Sequence, residues 1–250
     1  MKYIIITGAS KGIGRAAALQ FAKKGTHLFL SARSSLEDLV PLIEEKGATV
    51  SVFQADLSIS GEADKMMEAA EQEISRDNPK EAVLINNAGM VDPVGPSTSY
   101  RSGDVSRHME LNLSAPIVCA AHFMRSLEEN KGLKTIINIS SGAAHSTIFG
   151  WSAYSSSKAG LEQFTKTAAM EQQDTSYPVS VYAFSPGIVD TPMQESIRSV
   201  SKDNFRDLEQ FKSYKKEGML LPPKKVAEAL ERLLEKPPSN GSSVSVNSYM

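Results

Sequence analysis

Short apolar segments alternate with longer segments of helical periodicity along most of the chain. Runs such as 4–6 and 136–139 are almost continuously apolar, which is typical of strands covered on both faces of a parallel sheet. Parallel strands need crossover connections, and the intervening segments have the period of helices. This order predicts an α/β fold with a doubly wound, parallel seven-stranded sheet. The predicted strands are 2–6, 27–31, 49–54, 81–86, 134–140, 178–184 and 242–246, and the predicted helices are 12–24, 35–46, 60–76, 109–128, 151–172 and 223–235.

The segment 190–222 interrupts this alternation. It is polar, has no strand candidate, and carries Met193, Met219 and Pro222. A long connection inside a compact α/β domain is more often functional than structureless. We therefore expect a single domain, residues 1–250, in which 190–222 is a lid over the substrate.

Composition limits the possible partners. The 250 residues are 41% hydrophobic and 22% charged, as in ordinary water-soluble domains. Lys and Arg number 27 against 29 Asp and Glu, and a net charge of −2 provides no bulk attraction for nucleic acid or an anionic membrane. No apolar stretch approaches the roughly 20 residues of a membrane span. The single cysteine, Cys119, excludes an internal disulfide. We expect a cytoplasmic protein with neither nucleic acid nor membrane as a partner.

A glycine-rich turn, residues 7–14, joins the first predicted strand to the first predicted helix. Its glycines, Gly8, Gly12 and Gly14, follow a G-x-x-x-G-x-G spacing. Glycine permits a tight turn and close approach of the backbone to a pyrophosphate, while the helix N-terminus supplies free N–H groups. The alternative is a glycine-rich turn without a ligand. The flanking strand and helix favour phosphate binding, and with it a Rossmann fold for nucleotides.

The segment 151–158 places a phenol and an ammonium, Tyr154 and Lys158, four residues apart. Side chains at this spacing share one helix face and can enter one pocket. An ammonium beside a phenol lowers the phenol's pKa from about 10, which suits a general acid near neutral pH. Ser141 lies thirteen residues before the phenol. Taken singly, each of the three residues is equally compatible with a packing, turn or surface role.

In their order along the chain, these motifs resemble those of the short-chain dehydrogenase/reductase family. The resemblance covers essentially the whole chain. Within the family, the chain most resembles the sepiapterin reductases and the bacterial benzil reductases. The matching positions are 7–14, Asn-Asn-Ala-Gly at 86–89, Asn112, Ser141, Tyr154 with Lys158, and Pro-Gly at 186–187.

The resemblance implies a role for each of four catalytic residues. Tyr154 is the acid that protonates a carbonyl oxygen, and Lys158 lowers its pKa and binds the nicotinamide ribose. Ser141 hydrogen-bonds the substrate carbonyl, although Ser140 is a neighbouring rival. Asn112 kinks its helix and holds a water for proton relay.

The resemblance also implies a nicotinamide cofactor, and the end of the second strand suggests which one. Ala32 stands where a carboxylate would bind the ribose of NAD, and Arg33 follows it. An Arg can bind a 2′-phosphate bidentately, and Lys11 adds charge, so we expect NADP(H). Both cations are otherwise solvated surface residues. The cofactor-binding residues implied are Gly8, Ser10, Lys11, Gly12, Ile13, Gly14, Arg33, Asp56, Leu57, Asn87, Ala88, Gly89, Tyr154, Lys158, Pro186, Gly187, Val189 and Thr191; Asp56 is alternatively a helix N-cap.

The resemblance implies a small-molecule carbonyl substrate, namely a vicinal dicarbonyl or α-hydroxyketone. An apolar pocket for it is expected from Trp151, Phe149, Met193 and Met219, unless these four only pack the core. Reduction of a 3-oxoacyl thioester is an alternative, weakened because the tail lacks a Gly-Gly pair. A non-enzymatic NADP(H)-sensing regulator is an alternative of another class.

Further expectations concern histidines, metals and assembly. His145 either lines the substrate entrance or belongs to a loop, and His122 is expected to pack in a helix. The four histidines and the single cysteine show no metal-ligand spacing, so no catalytic metal is expected. Relatives pair the helices at 109–128 and 151–172 between subunits, which implies a homodimer.

Overall fold

The computed structural model describes the backbone of residues 1–250 and the side chains of residues 1–74 and 78–250. Its centre is one seven-stranded sheet in which every strand pair is parallel, in the order β3-β2-β1-β4-β5-β6-β7. The strands are β1 (Lys2–Thr7), β2 (Thr26–Ala32), β3 (Thr49–Gln54), β4 (Glu81–Asn86), β5 (Leu133–Ile139), β6 (Ser180–Ser185) and β7 (Ser243–Ser245). The predicted fold class is confirmed, and each predicted strand is present.

Helices cover both faces of this sheet. One helix has an internal π-helical turn at Glu110–Ser114, which joins α4 to α5. The helices are α1 (Gly12–Phe21), α2 (Val40–Glu44), α3 (Glu62–Asp77), α4 (Ser102–Met109), α5 (Ala115–Ser126), α6 (Ser152–Glu171), α7 (Pro192–Ser199), α8 (Leu208–Lys216) and α9 (Pro223–Glu235). None of these helices, over the residues described, is long and apolar enough to cross a membrane.

The side chains of β1 show how the two faces are packed. Successive residues of a strand point to opposite faces. Ile4 and Ile6 belong to the core under α1 and α9, whereas Tyr3 and Ile5 belong to the core under α3 and α5. All four side chains are essentially inaccessible to solvent. Burial on both faces explains why the central strands are continuously apolar.

Two predicted helices and one segment predicted without helices differ from the structure. The helix predicted at 35–46 is limited to Val40–Glu44, after turns in which the carbonyl of Leu36 accepts bonds from Leu39 and Val40. The helix predicted from 109 begins at Ser102. The segment 190–222 contains two helices, α7 and α8, where no regular structure was predicted.

Aromatic packing fixes the segment 190–222 against the start of α6. The ring of Trp151 stacks on Phe205, with 5.0 Å between centroids, and meets Phe211 edge-on at 5.5 Å. At the other end of the segment, Val189 and Leu221 form a parallel backbone bridge. The segment is therefore a packed helical layer over the carboxyl ends of the last strands.

Gly150 tests this packing. Its φ is +91°, and a Cβ there would overlap the carbonyl oxygen of Asn204. Gly150→Ala should lower the free energy of unfolding by about 1–3 kcal/mol, through strain and displacement of the layer. Chemical denaturation measures the change. The control is Gly103→Ala in α4, where no atom lies within 4 Å of the added Cβ; equal effects of the two substitutions would contradict the packing described.

Candidate active site

A cleft of about 500 Å³ opens at the carboxyl ends of the strands. It lies where the strand order reverses, between β1 and β4, which is where open α/β sheets bind ligands. Its walls come from the turns after β1 to β6, from α6 and from the beginning of α7. The cleft is thus built by segments far apart in sequence that end at the same edge of the sheet.

The glycine turn forms the floor of one half of the cleft. Helix α1 begins at Gly12 without a side-chain cap and without an acidic residue in its first turn, so its first N–H groups are left for a ligand. Gly8 has φ +69°, and a Cβ on Gly14 would overlap the carbonyl oxygen of Gly8. Gly8 and Gly12 line the cleft, whereas Gly14 lies behind it as a packing residue. This cradle fits a pyrophosphate.

The turns after β2 and β3 form the far end of this half. The Arg33 guanidinium lies 3.8 Å from the Asp56 carboxylate, and its side chain is 68% exposed. Ser34 donates a hydrogen bond to the hydroxyl of Ser10, at 2.9 Å. The buried Ser31 hydroxyl has no partner within the described part of the chain. These donors and cations suit a phosphorylated ribose.

Asp56 does not cap a helix. Its Oδ1 accepts hydrogen bonds from the backbone N–H and the hydroxyl of Ser58, at 3.1 and 2.7 Å, while α3 begins only at Glu62. Burial alone would raise the pKa of Asp56, but the bonds from Ser58 and the charge of Arg33 hold it below its usual value. The carboxylate is therefore ionised and available to accept a hydrogen bond.

Backbone contacts join the turn after β4 to the turn after β1. Asn87 donates from Nδ2 to the carbonyl oxygen of Thr7 at 2.8 Å, and the N–H of Ala88 donates to the Thr7 hydroxyl at 3.0 Å. A Cβ on Gly89 would lie 3.3 Å from Asn112 Oδ1. Asn87, Ala88 and Gly89 all line the cleft, as do Leu57, Ile13 and Lys11.

The turn after β6 supplies fewer lining residues than predicted. Pro186 and Thr191 line the cleft, but Gly187 and Val189 do not. Gly187 has φ +74°, and the buried Val189 pairs with Leu221. These two residues shape the turn and hold the helical layer in place.

Tyr154 and Lys158 both line the cleft. The Ser141 side chain lies near the Tyr154 hydroxyl, where it favours the ionised form of the phenol. Lys158 donates from Nζ to the carbonyl oxygen of Ile139 at 2.8 Å, and Nζ lies 5.8 Å from the centroid of the Tyr154 ring. Ser140 also lines the cleft, but its hydroxyl donates to the buried Glu162 at 2.6 Å. This bond favours Ser141 as the hydroxyl that acts beside Tyr154, which stays a prediction.

Burial controls the protonation of the phenol and the amine. Desolvation raises the pKa of Tyr154 above its ordinary value, and the Ser141 hydrogen bond only partly opposes it. Desolvation also lowers the pKa of Lys158 to about 8. The expectation of a lowered phenol pKa is therefore wrong for this structure, because removal from water outweighs the neighbouring groups. The phenol is protonated at neutral pH and can act as an acid.

Asn112 stands behind the amine, within the π-helical turn Glu110–Ser114. Its Oδ1 accepts from the N–H of Met90 at 2.9 Å, and its Nδ2 donates to the carbonyl of Met90 at 2.8 Å. The predicted break in this helix is present as the wider turn. The amide thus holds the backbone of Met90, which lines the cleft.

Sequence reasoning missed His108, a fully buried residue of α4. It contacts Asn112, at 3.1 Å from Nδ2 to Nε2, and its ring meets that of Tyr154 edge-on. The available signal was its position four residues before Asn112, on the same helix face. Because the predicted helix began at residue 109, the sequence did not show that His108 and Asn112 share one helix face.

The substrate half of the cleft also differs from expectation. Of the four residues expected to form an apolar pocket, Met193 lines the cleft, together with Val91 and Leu111. Trp151 is buried in the aromatic packing, Arg206 covers the ring of Phe149, and Met219 is 56% exposed. Trp151 therefore has the alternative, core-packing role, whereas Phe149 and Met219 neither line the cleft nor belong to the buried core.

The remaining histidines lie outside the cleft lining. His145 belongs to the loop, and its Nε2 lies 2.8 Å from the Glu162 carboxylate. His122 contacts the carboxylates of Asp64 and Glu71 through its two ring nitrogens, at 3.2 and 2.8 Å, so it is not only a packing residue. Among residues 1–74 and 78–250, no three His, Cys, Asp or Glu side chains are grouped to hold a metal ion.

Comparison with known proteins decides the family. The family model described as "short chain dehydrogenase" matches residues 2–202. The chain belongs to this family. It is 40% identical over 250 residues to the "Benzil reductase ((S)-benzoin forming)" of Bacillus subtilis, with all of both chains covered. It is 31% identical over 209 residues to the sepiapterin reductase of Rattus norvegicus, with 80% of this chain and 78% of the relative covered.

Solved structures of the short-chain dehydrogenase family agree. A short chain dehydrogenase/reductase from Saccharomyces cerevisiae superposes with a TM-score of 0.86 at 27% identity, covering 100% of both chains. The chain is accordingly an oxidoreductase that acts on CH–OH or C=O groups and uses a nicotinamide cofactor.

The burial of Lys158 predicts a pH dependence of stability. Above about pH 8 the folded chain releases the Lys158 proton, whereas the unfolded chain keeps it to about pH 10. Because the unfolded state then binds more protons, stability should rise with pH. Relative to Lys158→Met, the free energy of unfolding should increase by about 1–2 kcal/mol across this window. Urea denaturation at several pH values measures it.

Lys216→Met, an exposed position on α8, is the matched control and should follow the unmodified protein at every pH. A pH-independent difference between the unmodified protein and Lys158→Met would contradict the depressed pKa.

Proposed function

We propose that this chain is an NADPH-dependent carbonyl reductase that reduces one ketone of a vicinal dicarbonyl or α-hydroxyketone compound. The observation that carries the proposal is the buried pair of Tyr154 and Lys158, which line the nucleotide cleft, with the Ser141 side chain beside the phenol. Full-length similarity to a benzil reductase supports the substrate class.

The catalytic roles follow from the protonation states. When bound, the cofactor supplies a hydride to the carbonyl carbon. Ser141 orients the carbonyl by donating a hydrogen bond to its oxygen. Tyr154, protonated at neutral pH, donates its proton to that oxygen, so the C=O becomes CH–OH. Lys158 restores charge balance as the phenolate forms, and Asn112 holds the adjoining backbone at Met90.

The adenosine end supports NADPH as the cofactor. Ala32 offers no carboxylate for a ribose 2′-hydroxyl, and Arg33 and Lys11 line the same end of the cleft. The contact of Arg33 with Asp56 is long, 3.8 Å, which leaves the guanidinium able to turn toward a phosphate. The hydroxyls of Ser10 and Ser34 lie beside it.

The apolar side chains of the substrate half support an aryl or alkyl diketone. Val91 and Leu111 face the cleft from one wall and Met193 from α7. We propose that the segment 190–222 is the substrate lid, because Met193 and Ser196 reach the cleft from it. A diketone without charge would replace water at these surfaces favourably.

Two further expectations stand as proposals. A homodimer would pair α5 and α6, which carry the partly buried Val118 and Phe164 and the exposed Met170. A cytoplasmic location is supported by the single, buried cysteine, Cys119.

The activity is tested with benzil, sepiapterin and an acetoacetyl thioester, following NADPH oxidation. Benzil should be turned over, and Tyr154→Phe should lose at least about 100-fold in kcat while still binding NADPH, because only the proton donor is removed. Tyr177→Phe, at the opposite end of β6, should keep full activity. Turnover of the thioester alone would reject the diketone class. Tight NADPH binding without oxidation by any carbonyl would favour a sensing protein.

Arg33 is expected to set the cofactor preference. Arg33→Ala should lower kcat/KM for NADPH by about 10- to 100-fold, the effect of losing charge-assisted hydrogen bonds. The value for NADH should change less than about twofold, because NADH has no 2′-phosphate. Steady-state kinetics with both cofactors measure this, with the exposed Arg125→Ala as control. Equal losses for NADPH and NADH would contradict phosphate recognition.

A further inference from the structure

The buried ring of His108 has both nitrogens engaged. Its Nδ1 lies 2.6 Å from the carbonyl oxygen of Asp92, and its Nε2 lies 3.1 Å from both Asn112 Nδ2 and the Ser157 hydroxyl. A backbone carbonyl only accepts, so Nδ1 must carry the proton. In the neutral ring Nε2 is then an acceptor.

Asn112 is oriented so that it requires this acceptor. Its Oδ1 and one N–H are used by the backbone of Met90, at 2.9 and 2.8 Å. The second N–H points to His108 Nε2. A flipped amide would lose both bonds to Met90, so the orientation of Asn112 is fixed. The Ser157 hydroxyl donates to the carbonyl of Tyr154 at 2.8 Å and does not compete as a donor.

Protonation of His108 would take the acceptor away from the second Asn112 N–H, because Nε2 would become a donor that faces the amide at 3.1 Å. The Ser157 hydroxyl oxygen can accept the new Nε2–H, but this does not restore an acceptor for Asn112. We propose that His108 is a positioning residue which, in its neutral Nδ1–H form, fixes Asn112 and the Met90 backbone, and that its protonation switches the site off under acidic conditions. This inference rests on the proposed reductase function for its kinetic consequence.

The groups around the ring set the pH of the switch. Burial lowers the pKa of His108 below its ordinary value, and the charge of Lys158 on α6 acts in the same direction. The pKa is raised by the carbonyls of Asp92 and Ala153 and by the Asp92 carboxylate, but these effects together are smaller than those of burial and Lys158. Tyr154, also on α6, meets the ring edge-on and is uncharged. His108 is therefore neutral at neutral pH, and the interaction is lost as pH falls through its lowered pKa, which lies below the ordinary imidazole value of about 6.5.

Two substitutions separate positioning from packing. In His108→Gln an amide oxygen can occupy the place of Nε2, accept from Asn112, and not titrate. In His108→Asn the shorter amide can still donate to Asp92 but leaves Asn112 without its acceptor. At pH 8, His108→Gln should keep at least about one third of kcat/KM with benzil, whereas His108→Asn should lose about tenfold, the effect of one unpaired buried N–H.

The pH profile is the decisive kinetic measurement. The unmodified protein and the control His27→Gln, on β2 at the amino end of the sheet, should lose kcat/KM together below about pH 6.5. In His108→Gln this acid limb should disappear or move to lower pH. An acid limb identical in His108→Gln and the unmodified protein would overturn the proposal.

A second measurement does not depend on activity. Long-range 1H–15N spectra of uniformly 15N-labelled protein should show His108 as the Nδ1–H tautomer with a depressed pKa, and the Met90 and Asn112 amide signals should titrate with it. An Nε2–H tautomer, or Met90 and Asn112 signals indifferent to His108 protonation, would refute the inference. Because these signals need no substrate, failure of benzil turnover would reject the proposed function alone.

Discussion

The buried amine of Lys158 is the constraint on which the catalytic part of the site depends. An ammonium has three donors, and among the described residues one acceptor, the Ile139 carbonyl, holds it at 2.8 Å. A Cβ on Gly89 would lie only 3.8 Å from Nζ, so glycine keeps the space beside the amine open toward the cleft. The remaining N–H groups therefore face the place where ribose hydroxyls would complete their hydrogen bonding. A buried amine with incomplete bonding is costly without a ligand.

The two halves of the cleft are held by different kinds of force. In the nucleotide half, hydrogen bonds between side chains and the backbone join neighbouring strand ends, as from Asn87 Nδ2 to the Thr7 carbonyl at 2.8 Å. In the substrate half, aromatic packing between Trp151 and Phe205 positions the layer from which Met193 reaches the cleft. Hydrogen-bonded strand ends leave little freedom, whereas apolar packing tolerates substitutions of similar volume. Substrate preference can therefore change without disturbing the nucleotide half.

The sequence was sufficient where the determining physics is local. Central strands are apolar on both faces, so their positions follow from residues such as Ile4 and Ile5 without knowledge of partners. The glycine turn is likewise encoded locally, because Gly8 needs its left-handed backbone conformation. The Tyr154–Lys158 spacing gave their shared face directly, and the structure brings both into the cleft.

What the sequence did not give depends on contacts between distant segments. Helix α8 is polar except for a narrow apolar stripe. Its Phe211 is partly buried by contact with Trp151, which lies sixty residues earlier in the chain, so the sequence around α8 does not reveal this contact. The same holds for His108, whose partners Asp92 and Ser157 come from two other elements. Met219 was expected to contact the substrate, but the path of the segment 190–222 leaves it exposed at the surface.

The protonation of Tyr154 shows how far spacing can mislead about chemistry. An i, i+4 pair predicts attraction between a phenolate and an ammonium, yet it says nothing about how much water the fold removes. Here burial raises the pKa of Tyr154 and lowers that of Lys158 to about 8, so at neutral pH the phenol is uncharged while most of the amine still carries its proton. A neutral phenol holds the proton that carbonyl reduction consumes, whereas alcohol oxidation needs the phenolate. The burial of this pair thus biases the site toward reduction at neutral pH, a preference that arises from the fold and not from the motif.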